Sequence, residues 1–137
     1  MRTYNIFISH SWNYSNQYQR LTELLKQAPY FQHKDYSIPK DDPVHNASLD
    51  RELEEAIENK MNFCSVIIVL AGVYADPSYS KWIAKEVRIA QKQSKPILAI
   101  EYWGSERTSQ FVKENADKIV RWNGSSIVSA IKELYDK

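Results

Sequence analysis

The chain has 137 residues, with 18 basic and 17 acidic side chains, a formal charge of +1, and 43% hydrophobic and 26% charged content. That length holds one hydrophobic core, so residues 1–137 read as a single domain of ordinary globular composition. The near-neutral balance gives no field to attract nucleic acid or an anionic surface, and no apolar run approaches the ~20 residues of a membrane span; neither partner is expected.

Cys64 is the single cysteine, which rules out an internal disulfide and a multi-cysteine zinc site. It heads the run Cys64-Ser65-Val66-Ile67-Ile68-Val69-Leu70 and reads as a buried, inert thiol. Met1-Arg2-Thr3-Tyr4-Asn5-Ile6 has no signal-peptide pattern, and a reducing cytoplasmic location is expected. The three glycines, Gly72, Gly104 and Gly124, are too few and too far apart for a G-x-G-x-x-G fingerprint or a Walker-A loop.

In chain order, Tyr4 to Ser9 reads as a strand, and Asn13 to Gln27 as a helix with Tyr14, Tyr18, Leu21, Leu24 and Leu25 inward, ended by Pro29. His33 to Ile38 is a weaker strand before the polar loop Pro39-Lys40-Asp41-Asp42-Pro43-Val44-His45-Asn46. Ser48 to Lys60 is a helix with its N-cap at Asn46 or Ser48. Cys64 to Leu70, an unbroken β-branched run, has the pattern of a strand buried on both faces. The helix Ser80 to Gln93, the strand Pro96 to Glu101, the helix Ser105 to Asn115, the edge strand Lys118 to Trp122 and the helix Ser125 to Tyr135 complete the chain.

Alternating strands and helices predict an α/β, three-layer flavodoxin-like fold: a five-stranded parallel sheet of order 2-1-3-4-5 with helices on both faces. Ligands in such sheets bind beyond the carboxyl ends of the strands, at the switch point beside strand one. The loops Ser9 to Asn13, Ile38 to Ala47 and Ala71 to Ser80 should meet there.

A phosphoacceptor receiver would need acids after strands one and three, where this chain has Ser9-His10-Ser11 and Leu70-Ala71-Gly72. Flavin binding has only the weak signal of the hydroxyls in Ser9-His10-Ser11-Trp12. His10, His33 and His45 show no ligand spacing, and Asp41-Asp42 has no partners at fixed offsets; no metal is expected, and His33 reads as a surface residue.

The helix after strand three is more informative. At about 100° per residue, Ile89, Trp82, Glu86, Ala90, Ile83 and Val87 form one apolar arc, opposite Lys81, Lys85, Arg88, Gln91 and Lys92. Glu86 is the one charge in that arc, with Trp82 a turn before it. A carboxylate buried among apolar groups costs several kcal/mol unless it is paired or protonated. Glu86 therefore either escapes to the rim, pairs with a buried donor, or serves a function.

These segments resemble the TIR-like domains of bacteria. Tyr4-Asn5-Ile6-Phe7-Ile8-Ser9-His10-Ser11 looks like the family's opening strand and Ser-rich loop. Val69-Leu70-Ala71-Gly72-Val73-Tyr74, followed by Ser80-Lys81-Trp82 and Glu86, is similar to the W-x-x-x-E region, and Lys95-Pro96-Ile97-Leu98-Ala99-Ile100 to the fourth strand. Ser37-Ile38-Pro39 with Asp42-Pro43-Val44 looks most like the branch of TIR sensors in Thoeris-type phage defence.

The resemblance implies an NAD⁺ glycohydrolase or ADP-ribosyl cyclase with no bound cofactor, NAD⁺ being the substrate. It implies Glu86 as catalytic carboxylate, with Phe7, Ser9, His10, Tyr36, Asp41 and Trp82 around the substrate, Trp82 stacking on the nucleotide. It further implies homotypic TIR–TIR assembly through the loop after strand two, and a nucleotide product read by a downstream effector. That loop lacks arginine, so backbone N–H groups from Ser9 to Trp12, with His10, would hold the diphosphate. Two other functions fit the pattern: a non-catalytic TIR-like interaction module, and a nucleoside deoxyribosyltransferase-like enzyme, for which no second acid is evident.

Overall fold

The computed structural model describes residues 3–9, 15–36, 50–70, 77–101 and 110–136, and within them leaves aside the side chains of 15–17, 50, 52, 53, 77–83 and 110. The elements are β1 (Thr3–Ser9), α1 (Ser15–Gln27), β2 (Gln32–Asp35), α2 (Asp50–Met61), β3 (Val66–Leu70), α3 (Pro77–Lys92), β4 (Ile97–Glu101), α4 (Gln110–Asn115), β5 (Lys118–Arg121) and α5 (Gly124–Tyr135). All strand pairs are parallel and the order is β2-β1-β3-β4-β5, the order expected from the sequence.

Strand alternation divides the core into two layers. Phe7, Ile67, Val69, Ile97 and Ala99 point to one face, where Ile57 and Met61 of α2, Val87 and Ala90 of α3 and Val112 of α4 cover them. Ile6, Ile8, Ile68, Leu70, Leu98 and Ile100 point to the other, under Leu21 and Leu25 of α1 and Ile127, Ala130, Ile131 and Leu134 of α5. Every residue of β3 is buried, which is why its sequence is continuously apolar rather than alternating.

The element ends differ from the sequence expectation for local reasons. The third helix begins at Pro77 rather than Ser80, because proline's fixed φ and missing N–H suit the first helical turn. β3 begins at Val66 rather than Cys64: the Cys64 N–H closes the turn after α2 by donating to the Met61 carbonyl. β2 ends at Asp35, although the Tyr36 N–H still donates to the Ile6 carbonyl at 2.9 Å; residues 37–38 lie outside the described set. α5 starts at Gly124 because the Asn123 side chain caps it, accepting from the Ser126 N–H at 3.1 Å. The proposed caps Asn46 and Ser48 also fall outside the described residues.

His33 is half-buried rather than superficial, its ring stacked on Phe31 with centroids 5.8 Å apart. Burial pushes its pKa down, against the attraction of Asp35 and with help from Lys26. The unfolded chain therefore takes up this proton first. The contribution of neutral His33 is complete above about pH 6.5 and is lost as pH falls through the lower, folded value. Urea unfolding at pH 7.5 and 5.5 should show a smaller loss of stability in His33→Phe than in wild type; an equal loss would show that His33 contributes nothing to the acid sensitivity.

After α3 the Lys95 N–H donates to the Ala90 carbonyl at 2.9 Å and the Ser94 N–H to that of Gln91 at 3.0 Å, a Schellman closure. It places Ser94 at φ 58, the left-handed region that glycine occupies without steric penalty. Ser94 is exposed, so little packing is lost by shortening it. Ser94→Gly is expected to stabilise the protein by about 0.5–1 kcal/mol in chemical denaturation; a decrease would contradict the strain argument.

Candidate functional site

Ser9 is the last residue of β1 and lies opposite Val69 of β3. Strands flank β1 on both sides, and alternation turns Ser9 to the same face as Phe7, under α2 and α3. Its side chain is fully buried, and a hydroxyl there requires a partner. On α3, Val87, Ile89 and Ala90 are buried as the apolar arc predicts, while Arg88 is exposed. Glu86, in the same arc, is only 2% exposed.

The two anomalies meet. Ser9 Oγ donates to Glu86 Oε1 at 2.7 Å, across 77 positions of sequence. Among the described residues, Ser9 and Glu86 are the two buried polar side chains, and they bond to each other. Glu86 thus does not escape to the rim; it pairs with a buried donor. The bond lies at the carboxyl end of β1, where Ser9 stands beside Val69 of β3; between these two strands the order reverses, which is the switch point of the sheet.

The neighbouring residue Lys85 was expected on the solvent face. Its side chain is instead 19% exposed and bonds Glu54 of α2 at 3.0 Å. Positions 85 and 86 consequently tie one turn of α3 to α2 on one flank and to β1 on the other.

The other expected site residues are placed variously. Phe7, expected to touch substrate, is 0% exposed in the core layer beneath α2 and α3, because a central strand covered on both faces leaves its side chains no surface. Ser9 likewise has 0% exposure and faces Glu86 rather than open space. Tyr36 is half-buried on the same layer, but its ring stacks on exposed Phe63 with centroids 5.7 Å apart, and Lys34 Nζ lies 5.3 Å from its centre. Trp82 sits one helical turn before Glu86 on α3, its side chain outside the described set, as are His10 and Asp41.

Cys64 is buried, donates to the Lys60 carbonyl at 3.5 Å, and has its thiol pushed up to about 12 by burial, with Asp35 adding to the effect. It stays protonated at neutral pH and is no nucleophile. Among the described residues no group of three or more His, Cys, Asp or Glu could hold a metal, and no helix is long and apolar enough to cross a membrane. Two surface clefts, about 530 Å³ between α1 and α5 and about 870 Å³ between α1 and β2, include neither Ser9 nor Glu86.

Fold and site together define a doubly wound α/β domain with a buried acid at the carboxyl edge of its sheet. The chain belongs to the family of the Thoeris protein ThsB, TIR-like domain, whose family model matches residues 7–107. No curated protein matches the sequence. Among solved structures, that of the Clostridium botulinum CMP N-glycosidase BcmB is similar, with 10% identity and a TM-score of 0.49 over 93% of this chain and 98% of that one.

Proposed function

We propose that the protein cleaves the bond between nicotinamide and ribose in NAD⁺, with Glu86 as the catalytic carboxylate. The observation that carries this reading is a buried glutamate at the switch point of a TIR-like sheet, where an apolar residue would pack at lower cost. The leaving group is a neutral pyridine once the C1′–N1 electron pair returns to its ring, so little acid catalysis is required. What the ribose needs is stabilisation of the positive charge that develops at C1′. A carboxylate in a water-poor setting supplies it.

Glu86 would then hold ribose hydroxyls and orient the nucleophile. With water as nucleophile, its oxygen bonds to C1′ and a proton is released, giving nicotinamide and ADP-ribose. With an atom of the same molecule as nucleophile, that atom bonds to C1′ as nicotinamide leaves, giving a cyclic ADP-ribose and a proton with no water consumed. Trp82, a turn earlier on α3, is assigned to stack on the nucleotide and favour cyclisation. We also assign to this protein homotypic assembly, a cytoplasmic setting and an antiphage signal passed to an effector, in keeping with its Thoeris-type family.

Nicotinamide release at millimolar NAD⁺ tests the reading. Wild type is expected to turn over, and Glu86→Gln to lose about 10²–10³-fold in kcat while keeping its circular dichroism spectrum. Equal release by the two proteins would overturn the assignment. The absence of turnover in wild type at concentrations that drive assembly would favour a binding module instead.

A further inference from the structure

We infer that Ser9 is a positioning residue for Glu86, holding its carboxylate against the sheet, and not a contact to substrate. This rests on the proposed role of Glu86. Three observations support it.

Ser9 has no exposed surface whereas Glu86 keeps 2%, so a ligand at the sheet edge has access to the carboxylate before the hydroxyl. Its hydroxyl is already engaged, donating to Glu86 Oε1 at 2.7 Å, a length typical of a hydroxyl bonded to a carboxylate. The third concerns rigidity. A glutamate carboxylate hangs from three torsions, whereas serine has one and here is paired with Val69 of the fully buried strand β3. The bond therefore transfers the rigidity of the sheet to the carboxylate, which is what transition-state stabilisation by a fixed charge requires. A hydrogen bond donated to a carboxylate also favours its ionised form, the form that can face a developing positive charge.

A positioning residue and a substrate contact separate kinetically. Ser9→Ala is expected to lower kcat about tenfold to a hundredfold, the value of one hydrogen bond to a charged group, with KM changed by less than about threefold. The acid limb of its kcat–pH profile should move to higher pH, because the carboxylate has lost a donor. Ser9→Thr, which keeps the hydroxyl, should restore most of the rate and return the acid limb to its wild-type position. If Ser9→Ala fails to fold, Ser9→Cys keeps a donor, though a weaker one on a larger atom, and kcat should fall between wild type and Glu86→Gln. Carboxyl-carbon NMR of Glu86 adds a readout independent of turnover: its titration should shift upward in Ser9→Ala.

A raised KM with unchanged kcat would make Ser9 a substrate contact and overturn the inference. So would a Glu86 titration that Ser9→Ala leaves in place. Failure of the underlying reading looks different: wild type and Glu86→Gln would release nicotinamide equally, whatever Ser9 variants do.

Discussion

A buried hydrogen bond between β1 and α3 joins two polar residues within an otherwise apolar layer. Ser9 and Glu86 sit in a layer formed by Phe7, Val69, Val87, Ala90 and Ala99. Neither polar group belongs there alone. A hydroxyl without a partner costs about 1–3 kcal/mol, and a lone carboxylate costs more. Their pairing fixes which turn of α3 lies over the end of β1, and it does so at the one edge of the sheet where α/β folds bind ligands. On the adjacent flank Lys85 bonds Glu54, so the same turn is also tied to α2. Being partly exposed, that second contact contributes little free energy of its own. The buried bond is the stronger constraint on where Glu86 stands.

Core packing explains why such a bond is tolerated at all. β3 is buried along its whole length, and both sheet faces carry aliphatic layers that hold the strands in register. Against that rigid frame, one polar contact at the end of a strand is affordable in stability and gives precise placement of a charge. Catalysis by a fixed carboxylate depends on the second property. In the proposed reading the sheet supplies rigidity, α3 supplies the acid, and Ser9 connects them.

Much of this is legible in the sequence. The apolar run from Val66 to Leu70 and the strand–helix alternation point to a parallel sheet covered on both faces, of which 2-1-3-4-5 is one common order. Glu86 stood out as a charge in an apolar arc. What periodicity cannot reveal is contact between elements. Ser9 was expected near substrate, and its identity as Glu86's partner depends on how far α3 slides along the sheet, a tertiary quantity absent from either segment alone. A second signal was available: a hydroxyl on the buried face of a central strand is as anomalous as a carboxylate in an apolar arc. Lys85 was placed with solvent for the same reason, since one helix's periodicity says nothing of the neighbour along its flank. Phe7 was assigned to substrate by resemblance, but a central strand covered on both faces left it no surface. A helix start at Pro77 is hidden when proline is read only as a breaker, a tendency that holds in helix interiors and not in first turns.

The central claim is that Ser9 and Glu86 act as one unit, and a double-mutant cycle in stability tests it without reference to activity. Ser9→Ala, Glu86→Leu and the double variant would be compared with wild type by urea unfolding. In the wild-type background Ser9→Ala should cost about 1.5–3 kcal/mol, since it removes a donor from a buried carboxylate. In the Glu86→Leu background, where no carboxylate remains, the same change should cost less by at least about 1 kcal/mol. An equal cost in both backgrounds would mean that the two residues are independent, and the account built on their bond would fail.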